Sequence, residues 1–279
     1  MRELITRSIS GIVYVSLVVL SALFSRDVFI VLFCVFAFIC LLELMPMIRL
    51  KQWLIYPILP IAYYFIVWKS VSVEFIYVLL IATLLVNVYL IRDLVLANRI
   101  ALFNTKKHII ALLYLIGSSL FLALIPDVFL QMDLVTPNYQ PELLIGIFAI
   151  IWTNDSFAYI FGKNFGKHKL MKRISPKKTI EGFAGGLVMS IAVGAGLFYY
   201  LESIDIINYS VWEWMIVAFV VAFFGTIGDL IQSKIKRQAE VKDSGSIMPG
   251  HGGIFDRMDS IIFAAPFAYV TFLIINYVS

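Results

Sequence analysis

Charged residues are scarce in this chain. Asp, Glu, Lys and Arg make up 14% of its 279 residues, whereas apolar residues make up 61%. A soluble protein of this length needs a charged surface to cover its core, and so few charged side chains cannot supply one. Several apolar runs reach the ~20 residues that cross a bilayer. The composition therefore favours a membrane protein over a soluble protein with unusually hydrophobic helices.

Cysteine and the common nucleotide motifs are also scarce or missing. The two cysteines, Cys34 and Cys40, lie six residues apart in one apolar run. On a helix they point to different faces, which excludes an ordinary disulfide or metal pair. The chain has no P-loop and no dinucleotide fingerprint, so any nucleotide site must be of another type. We expect no cleavable signal peptide, because residues 25–27 do not form a small-residue cleavage site.

The apolar runs predict an all-α polytopic membrane protein with about nine transmembrane helices, N-terminus cytoplasmic and C-terminus outside. The predicted spans are approximately residues 9–24, 28–45, 53–68, 74–92, 108–126, 142–162, 180–200, 211–231 and 259–277. Five of them form an N-terminal scaffold over residues 1–140. The other four form a C-terminal region over residues 141–279, with cytoplasmic loops at 163–179 and 232–258, where we expect the chemistry.

The distribution of basic residues sets this orientation. All but two of the 22 Lys and Arg residues lie on one side of the membrane if the N-terminus is cytoplasmic. The exceptions are Arg26 and Lys69, and the long outside segments 127–141 and 201–210 contain neither Lys nor Arg. Cytoplasmic loops are enriched in Lys and Arg. Since no eukaryotic targeting signal is present, we expect a bacterial inner membrane.

Two carboxylates lie inside predicted spans, where they are costly and usually functional. Asp155 is in the sixth span, and Asp229 is near the cytoplasmic end of the eighth. A structural polar contact between helices is an equally good explanation of either carboxylate alone. Four other acidic residues lie near span ends, where we expect interfacial positions without a role: Glu43, Glu74, Glu142 and Glu213.

The loop at 163–179 is strongly basic. Charge alone favours topology control and attraction to anionic lipid head groups. However, residues 175–179 read Ser-Pro-Lys-Lys-Thr and are followed by Glu181-Gly182 and a glycine-rich helix start. Hydroxyls, ammonium groups and free amides at a helix N-terminus form a good phosphate site.

The loop at 232–258 combines cations, carboxylates, a histidine and several glycines. Such a mixture suits a metal–polyphosphate site, in which carboxylates hold Mg²⁺ and basic side chains neutralise phosphate. Glycines let the backbone approach a nucleotide closely. His251 has no Cys or His partners for zinc; it is a loop hydrogen-bonder, a phosphate contact or a general acid–base.

This segment resembles the signature of the phosphatidate cytidylyltransferase (CDP-diacylglycerol synthase) family. The signature is Ser, Lys-Arg, Lys-Asp, Gly or Ser, His-Gly-Gly, then Asp-Arg-x-Asp. The matching residues are Ser233, Lys236, Arg237, Lys242, Asp243, Gly245, His251, Gly252, Gly253, Asp256, Arg257 and Asp259. Further upstream the matching residues are Asp155, Ala158, Tyr159, Gly162, Lys163, 174–179, Glu181 and Gly182. The resemblance covers about residues 145–275, while the N-terminal half matches only as hydrophobic spans.

The resemblance implies that CMP passes from CTP to phosphatidic acid, giving CDP-diacylglycerol and pyrophosphate. It implies Mg²⁺ in a two-metal centre, with K⁺ a candidate for the second cation, and a homodimer among membrane lipids. No nucleic-acid partner is expected. The metal ligands that we expect are Asp229, Asp256 and Asp259, with Asp259 alternatively orienting Arg257. Asp243 and Asp155 are weaker metal candidates.

The resemblance also assigns roles to the other matched residues. We expect four basic residues to contact phosphates of CTP or the lipid: Lys236, Arg237, Lys242 and Arg257. A second substrate-binding cradle comprises Ser175, Lys177, Lys178, Thr179 and Glu181, with Ser233 and Asp155 also contacting substrate. The nucleotide pocket is expected to be shaped by His251, Gly252 and Gly253. For each cation taken singly, a solvated surface position remains the alternative.

Three rival functions remain. A CTP-using enzyme acting on a polyprenyl or isoprenoid ether lipid would share much of this chemistry. A transporter or channel would also carry intramembrane carboxylates, but usually near the midplane and with paired broken helices in two halves. A structural membrane scaffold would leave the polar loop at 232–258 without a purpose.

Overall fold

The computed structural model describes residues 2–69, 71–97, 100, 107–128, 139–203, 209–250 and 252–278. Its elements, in chain order, are α1 (Arg2–Phe24), α2 (Arg26–Met47), α3 (Ile55–Trp68), α4 (Val73–Leu96), α5 (Lys107–Asp127), α6 (Pro141–Phe165), β1 (Lys169–Met171), β2 (Ser175–Thr179), α7 (Ile180–Glu202), α8 (Val211–Gln238) and α9 (Phe255–Val278). Parts of α3 and α5, Tyr63–Trp68 and Ile110–Gly117, are wound as π-helix.

This architecture confirms the prediction of an all-helical, multi-pass membrane protein. Within the described residues, eight helices are long and apolar enough to cross a membrane. The third predicted span forms the shorter helix α3, which contains Pro60 and ends in the π-helical turns. Proline removes a backbone donor and clashes with the preceding turn, which is consistent with the irregular winding that follows.

Two predicted loops are partly ordered as regular structure. In the segment predicted as loop 163–179, Lys163 belongs to α6, and β1 and β2 form an antiparallel hairpin that pairs Lys169 with Thr179. The other predicted loop is shorter than 232–258 because α8 continues to Gln238 and α9 begins at Phe255. Cationic Lys236 and Arg237 in the last turn of α8 favour this extension through the helix dipole.

Local sequence explains several helix starts. Ser210 and Glu213 form a reciprocal capping box at the start of α8, so Glu213 has a capping role that its position near a span end did not indicate. The Ser25 hydroxyl accepts a hydrogen bond from the Val28 amide at the start of α2. These caps satisfy amides that a helix start leaves without partners.

The core is built around α5 and α9, which have most of their residues buried, whereas less than a third of the residues of α1, α4 and α7 are buried. Glycines bring α7 close to its neighbours. A side chain at Gly186 would clash with Asn154 of α6, and one at Gly194 would clash with Trp214 and Ala218 of α8. Close helix packing through small residues is typical of membrane bundles. It fixes α6, α7 and α8 against one another.

One ion pair ties three helices together at the α2 N-terminus. The Arg26 guanidinium lies 2.7–2.8 Å from Asp127 Oδ2 and donates a 2.7 Å hydrogen bond to the Val67 carbonyl. The Asp127 side chain is only 4% exposed, so its charge depends on this arginine. Arg26 is thus a structural residue that links α2, α3 and α5.

We predict that Arg26→Met lowers the apparent melting temperature of the detergent-solubilised protein. Removing one partner of a buried ion pair typically costs about 3–5 kcal/mol, since the other charge stays buried without compensation. Tryptophan fluorescence during heating measures the change. The double variant Arg26→Met/Asp127→Asn should recover part of the loss. Lys69→Met, which removes the other cation predicted to lie outside, should cost little; equal losses from both single variants would contradict this account.

Candidate active site

Asp229 is held by an ammonium group and a hydroxyl. Its Oδ2 lies 2.5 Å from Lys178 Nζ of β2, and its Oδ1 accepts a 3.1 Å hydrogen bond from Ser233 Oγ one turn along α8. The Asp229 and Lys178 side chains are 29% and 28% exposed. The hairpin therefore serves to bring one lysine of the predicted phosphate cradle to the intramembrane carboxylate.

This contact keeps Lys178 charged. Burial disfavours the ammonium form, but the Asp229 carboxylate and the hydrogen bond to it outweigh burial and raise the pKa of Lys178. Because the pKa of Lys178 is higher in the folded state than in the unfolded state, the ion pair stabilises the fold fully at neutral pH. This stabilisation is lost only as the pH rises through the pKa of the folded state. Lys178 is thus a permanent cation beside Asp229 under physiological conditions.

Each oxygen of the Asp256 carboxylate accepts two hydrogen bonds. Its Oδ1 accepts hydrogen bonds from Lys236 Nζ at 2.7 Å and Gln232 Nε2 at 3.3 Å, both on α8. Its Oδ2 accepts hydrogen bonds from the backbone amides of Ser244 at 2.8 Å and Gly253 at 3.0 Å. The carboxylate, 7% exposed, therefore holds two points of the loop at 239–254, Ser244 and Gly253, against α8.

The two carboxylates belong to one continuous polar face. Asp229, Ser233 and Lys236 are three and four residues apart and so lie on one side of α8. Lys236 is within electrostatic reach of Asp229 as well as bonded to Asp256. This face of α8 thus contributes Asp229 and Lys236, each paired with an opposite charge from another element, Lys178 of β2 and Asp256 of α9.

Asp259 and Asp155 lie near this face. Asp259 is 7% exposed, one turn after Asp256, and its Oδ1 accepts hydrogen bonds from the amide and hydroxyl of Ser260. Asp155 is exposed and lines a groove beside Asp229. Both are within electrostatic reach of Asp229. Several carboxylates therefore concentrate around Asp229.

These donors match Mg²⁺ in chemistry. Mg²⁺ prefers oxygen ligands and is usually held by one or two carboxylates together with water and substrate phosphates. Within the described residues, no group of three or more acidic, His or Cys side chains converges as a metal cage. The donor set thus fits a metal shared between protein and substrate. The assignment of Asp229, Asp256 and Asp259 as ligands stays a prediction.

A groove of about 320 Å³ runs between α6, α7, α8 and the hairpin. We call it the α6–α8 groove; its charged lining residues are Asp155, Lys163, Lys177, Lys178 and Asp229. Tyr159, which is 68% exposed, also lines it, so the groove reaches the outer surface of the bundle. It can take a ligand with a phosphate at one end and an apolar body at the other.

A second cavity of about 620 Å³, the loop pocket, lies on the loop at 239–254. Its charged lining residues are Arg7, Lys242, Asp243 and Arg257. Gly250 and Gly252 also line it, with φ of +75° and +87°, a conformation that favours glycine. Such a pocket, rich in cations and backbone, is suited to a phosphate-bearing ligand.

Some of the other residues of the predicted cradle make structural contacts, and others line the groove. The Thr179 hydroxyl is buried and accepts a hydrogen bond from the Gly182 amide, capping α7. Glu181 bonds the backbone and ring of His168. Lys177 lines the groove, while Ser175 pairs with Met171 in the hairpin. Thr179 also lines the groove, so Lys177 and Lys178 are the cationic members of the cradle that reach it.

One predicted site residue, Arg237, lies away from the Asp229–Asp256 face. Arg237 is exposed and lines a different cavity, because it is one residue past Lys236 and each residue turns the helix by about 100°. His251 lies outside the described residues. The roles expected for both stay predictions.

Sequence reasoning missed Glu43, which was expected to lie at an interface without a role. Glu43 of α2 is 7% exposed. Its carboxylate accepts hydrogen bonds from Ser244 Oγ at 2.7 Å and from the amides of Ile254 at 3.1 Å and Phe255 at 2.9 Å. It therefore caps the start of α9 from a distant helix. Its position near a span end hides this role, since only the fold brings residues 43 and 254 together.

Glu43 also explains two glycines of the signature. A side chain added at Gly245 or Gly253 would clash with the Glu43 carboxylate. The loop thus needs glycine at both positions to close around this carboxylate. The N-terminal half contributes further contacts, since Ser10 Oγ donates a 3.1 Å hydrogen bond to the Pro249 carbonyl and Arg7 lines the loop pocket.

Comparisons with known proteins identify the family and several relatives of this chain. A model described as the cytidylyltransferase family matches residues 5–275. Among curated relatives, a protein of Staphylococcus aureus (strain COL) is 50% identical over 119 residues. Proteins of Staphylococcus haemolyticus and Staphylococcus saprophyticus are 47% and 46% identical over the same length. All three are named phosphatidate cytidylyltransferase. Each match covers 43% of this chain, which spans 44% of the length of these relatives.

We predict that Glu43→Gln loosens the loop and the start of α9. The amide can no longer accept all three hydrogen bonds, and unsatisfied buried groups cost about 1–3 kcal/mol. The backbone amides of Ile254 and Phe255 should therefore exchange hydrogen roughly tenfold or more faster in mass-spectrometric exchange. Glu74→Gln, at the other end of α4 from this loop, is the matched control and should change nothing there. Unchanged exchange in Glu43→Gln would refute the capping role.

Proposed function

Because the chain belongs to the cytidylyltransferase family, we propose that it is a phosphatidate cytidylyltransferase. A phosphate oxygen of phosphatidic acid attacks the α-phosphorus of CTP. The bond from that phosphorus to the bridging oxygen of the β-phosphate breaks, and pyrophosphate leaves with this oxygen. The product is CDP-diacylglycerol. The observation that carries the proposal is the α8 face on which Asp229–Lys178 and Asp256–Lys236 pairs lie side by side.

The α6–α8 groove suits the lipid substrate. Its polar end holds Lys177 and Lys178 beside Asp229, and its exposed edge at Tyr159 allows acyl chains to remain among membrane lipids. Lys178, kept protonated by Asp229, can hold the lipid phosphate in place. Because this phosphate is already an anion, no strong general base is needed. The task of the groove is to orient it and to reduce its repulsion from CTP.

The loop pocket suits the triphosphate. Lys242 and Arg257 supply positive charge, and the backbone at Gly250 and Gly252 allows close approach. Asp256 holds this loop against α8 through the Ser244 and Gly253 amides. The two phosphates to be joined would thus meet near the α8 face, between groove and loop pocket.

Mg²⁺ would be held by Asp229 and Asp256, with Asp259, Asp155 and Asp243 as further candidates. When bound, a metal supplies charge stabilisation for the pentavalent phosphorus and the leaving pyrophosphate. In this arrangement Lys178 and Lys236, which now neutralise the two carboxylates, would be released toward substrate phosphates. A two-metal centre and a role for K⁺ follow from the family resemblance.

The orientation follows from the same residues. Arg7, Lys178, Lys236, Lys242 and Arg257 all lie at the site's end of the bundle. Under the positive-inside rule this end faces the cytoplasm, where CTP is available. The proposal therefore keeps the cytoplasmic N-terminus, the outside C-terminus and the inner-membrane location. The homodimer also stays a prediction.

The decisive assay uses purified, detergent-solubilised protein with labelled CTP, phosphatidic acid and Mg²⁺. We expect label in a chloroform-soluble liponucleotide that depends on both substrates and on Mg²⁺. Label appearing only with an isoprenoid ether lipid would show that this lipid, and not phosphatidic acid, is the acceptor. An active preparation that transfers label to neither lipid would overturn the enzyme assignment and reopen a transport function.

We predict that Asp229→Asn and Asp256→Asn each lower turnover by at least about a hundredfold, while the protein still inserts and purifies. Each variant removes a charge that balances a site lysine and is expected to hold Mg²⁺. Asp27→Asn, a matched change in the first turn of α2, should retain activity. Near-normal turnover of either site variant at limiting Mg²⁺ would show that its carboxylate is not a ligand.

A further inference from the structure

A third cavity is larger than both the groove and the loop pocket. It has a volume of about 800 Å³ and lies among the ends of α2, α4 and α8 and the turn of the β1–β2 hairpin. We call it the rear pocket. It shares no lining residue with the α6–α8 groove or the loop pocket. The hairpin separates it from the groove, because its strands line the groove while its turn lines the rear pocket.

The rear pocket has an excess of positive charge. Arg49, Lys172, Arg173 and Arg237 line it together with a single acid, Glu240. In the described part of the chain, none of these four cations forms an ion pair with a carboxylate. This excess of positive charge therefore favours the binding of an anion that is not part of the chain.

The fifth cation of the pocket, Lys234, has a structural role instead. Lys234 also lines this pocket, but it is only 4% exposed. Its ammonium donates hydrogen bonds of 2.5 and 2.7 Å to the carbonyls of Asp93 and Ala97. It closes the C-terminus of α4 and is thus committed to the fold. Arg49, Lys172 and Arg173 are instead exposed.

The backbone at two lining residues is held in an unfavourable conformation. Arg49 and Glu240 have φ of 52° and 60° and are the non-glycine residues with positive φ in the described ranges. Both follow the last turn of a helix, where glycine is the usual residue because it adopts this conformation without strain. Backbone preference alone therefore does not explain an arginine at position 49. The position of its guanidinium at the pocket does explain it.

Apolar residues identify the anion as a lipid. Val95 and Leu96 at the end of α4 line the pocket and are 64% and 77% exposed. They continue an exposed apolar stripe along the same face of α4, formed by Val78, Ile81, Leu85 and Val88. Val78, Ile81, Leu85 and Val88 are three and four residues apart, and Val95 follows Val88 after seven, so all lie on one side of the helix. The exposed Arg92 lies between Val88 and Val95 on this side. An acyl chain lying on this stripe would bring its head group to the cations.

We propose that the rear pocket binds the phosphate head group of an anionic phospholipid whose acyl chain lies along the α4 stripe. Basic pockets at the cytoplasmic ends of membrane helices recognise such head groups. The site is separate from the catalytic groove and does not depend on the proposed reaction. The occupied pocket would also brace the hairpin turn, and the same hairpin carries Lys178 to Asp229.

The test is lipid binding to the full-length, detergent-solubilised protein, followed by native mass spectrometry. Phosphatidylglycerol is the anionic probe and phosphatidylcholine the zwitterionic one. We expect the protein to prefer phosphatidylglycerol. The triple variant Arg49→Gln/Lys172→Gln/Arg173→Gln should lose about a hundredfold in affinity for it, given the usual contribution of each cation near a lipid surface. The matched control Lys51→Gln/Lys167→Gln/Lys169→Gln, outside the pocket, should retain the preference. Equal loss in both variants would overturn the site in favour of general surface charge.

The variant Arg49→Gly tests the charge of Arg49 at the pocket separately from its effect on stability. Glycine suits φ of 52°, so thermal stability should stay the same or rise, while phosphatidylglycerol affinity should fall about fivefold. Unchanged affinity would overturn the role of Arg49 at the pocket.

Two further arms identify the occupant and its place. A diazirine on the acyl chain of phosphatidylglycerol should label peptides of α4 rather than of α6 or α7; labelling confined to α6 and α7 would assign the lipid to the groove and overturn the proposal. Inorganic pyrophosphate should not displace the lipid at equal concentration. Efficient displacement would instead identify a site for soluble anions. Neither readout requires cytidylyl transfer, so failure here and failure of the proposed function are distinguishable.

Discussion

The enclosure of Asp256 is the constraint on which the rest of the site depends. A carboxylate so little exposed is tolerable only if donors replace its lost water. Lys236 and Gln232 supply them from α8, and the Ser244 and Gly253 amides supply them from the loop. Meeting that requirement folds the loop back on α8. The loop pocket, the start of α9 and the relation of both to Asp229 all follow.

The N-terminal half takes part in this organisation. Glu43 holds the other side of the same loop, and Ser10 contacts it at Pro249. Tyr14 reaches Met258 from α1 through its hydroxyl. The first two helices therefore form one wall of the site. A chain of hydrophobic spans with no recognisable motif can still determine the geometry of a motif elsewhere in the sequence.

Sequence predicted what depends on composition and on short spacings. Apolar run lengths located the spans, and the polar segment around Asp229 and Asp256 indicated the candidate site. Three features escaped because they depend on long-range pairing. The hairpin places Lys178, but not Ser175, beside Asp229. Glu43 meets residues 254 and 255 only in the fold. Arg237, adjacent to Lys236 in sequence, faces another cavity because the helix separates neighbours by direction.

That last separation has a consequence for how α8 can change over time. One helix presents Asp229, Ser233 and Lys236 to one side and Lys234 and Arg237 to another. Inserting or deleting a single residue after Asp229 and before Lys234 would rotate every later side chain of α8 by about 100° relative to Asp229. Lys236 would leave Asp256, and Lys234 would leave the end of α4. Substitutions can be absorbed one at a time along this stretch, whereas a change in its length disrupts both faces at once.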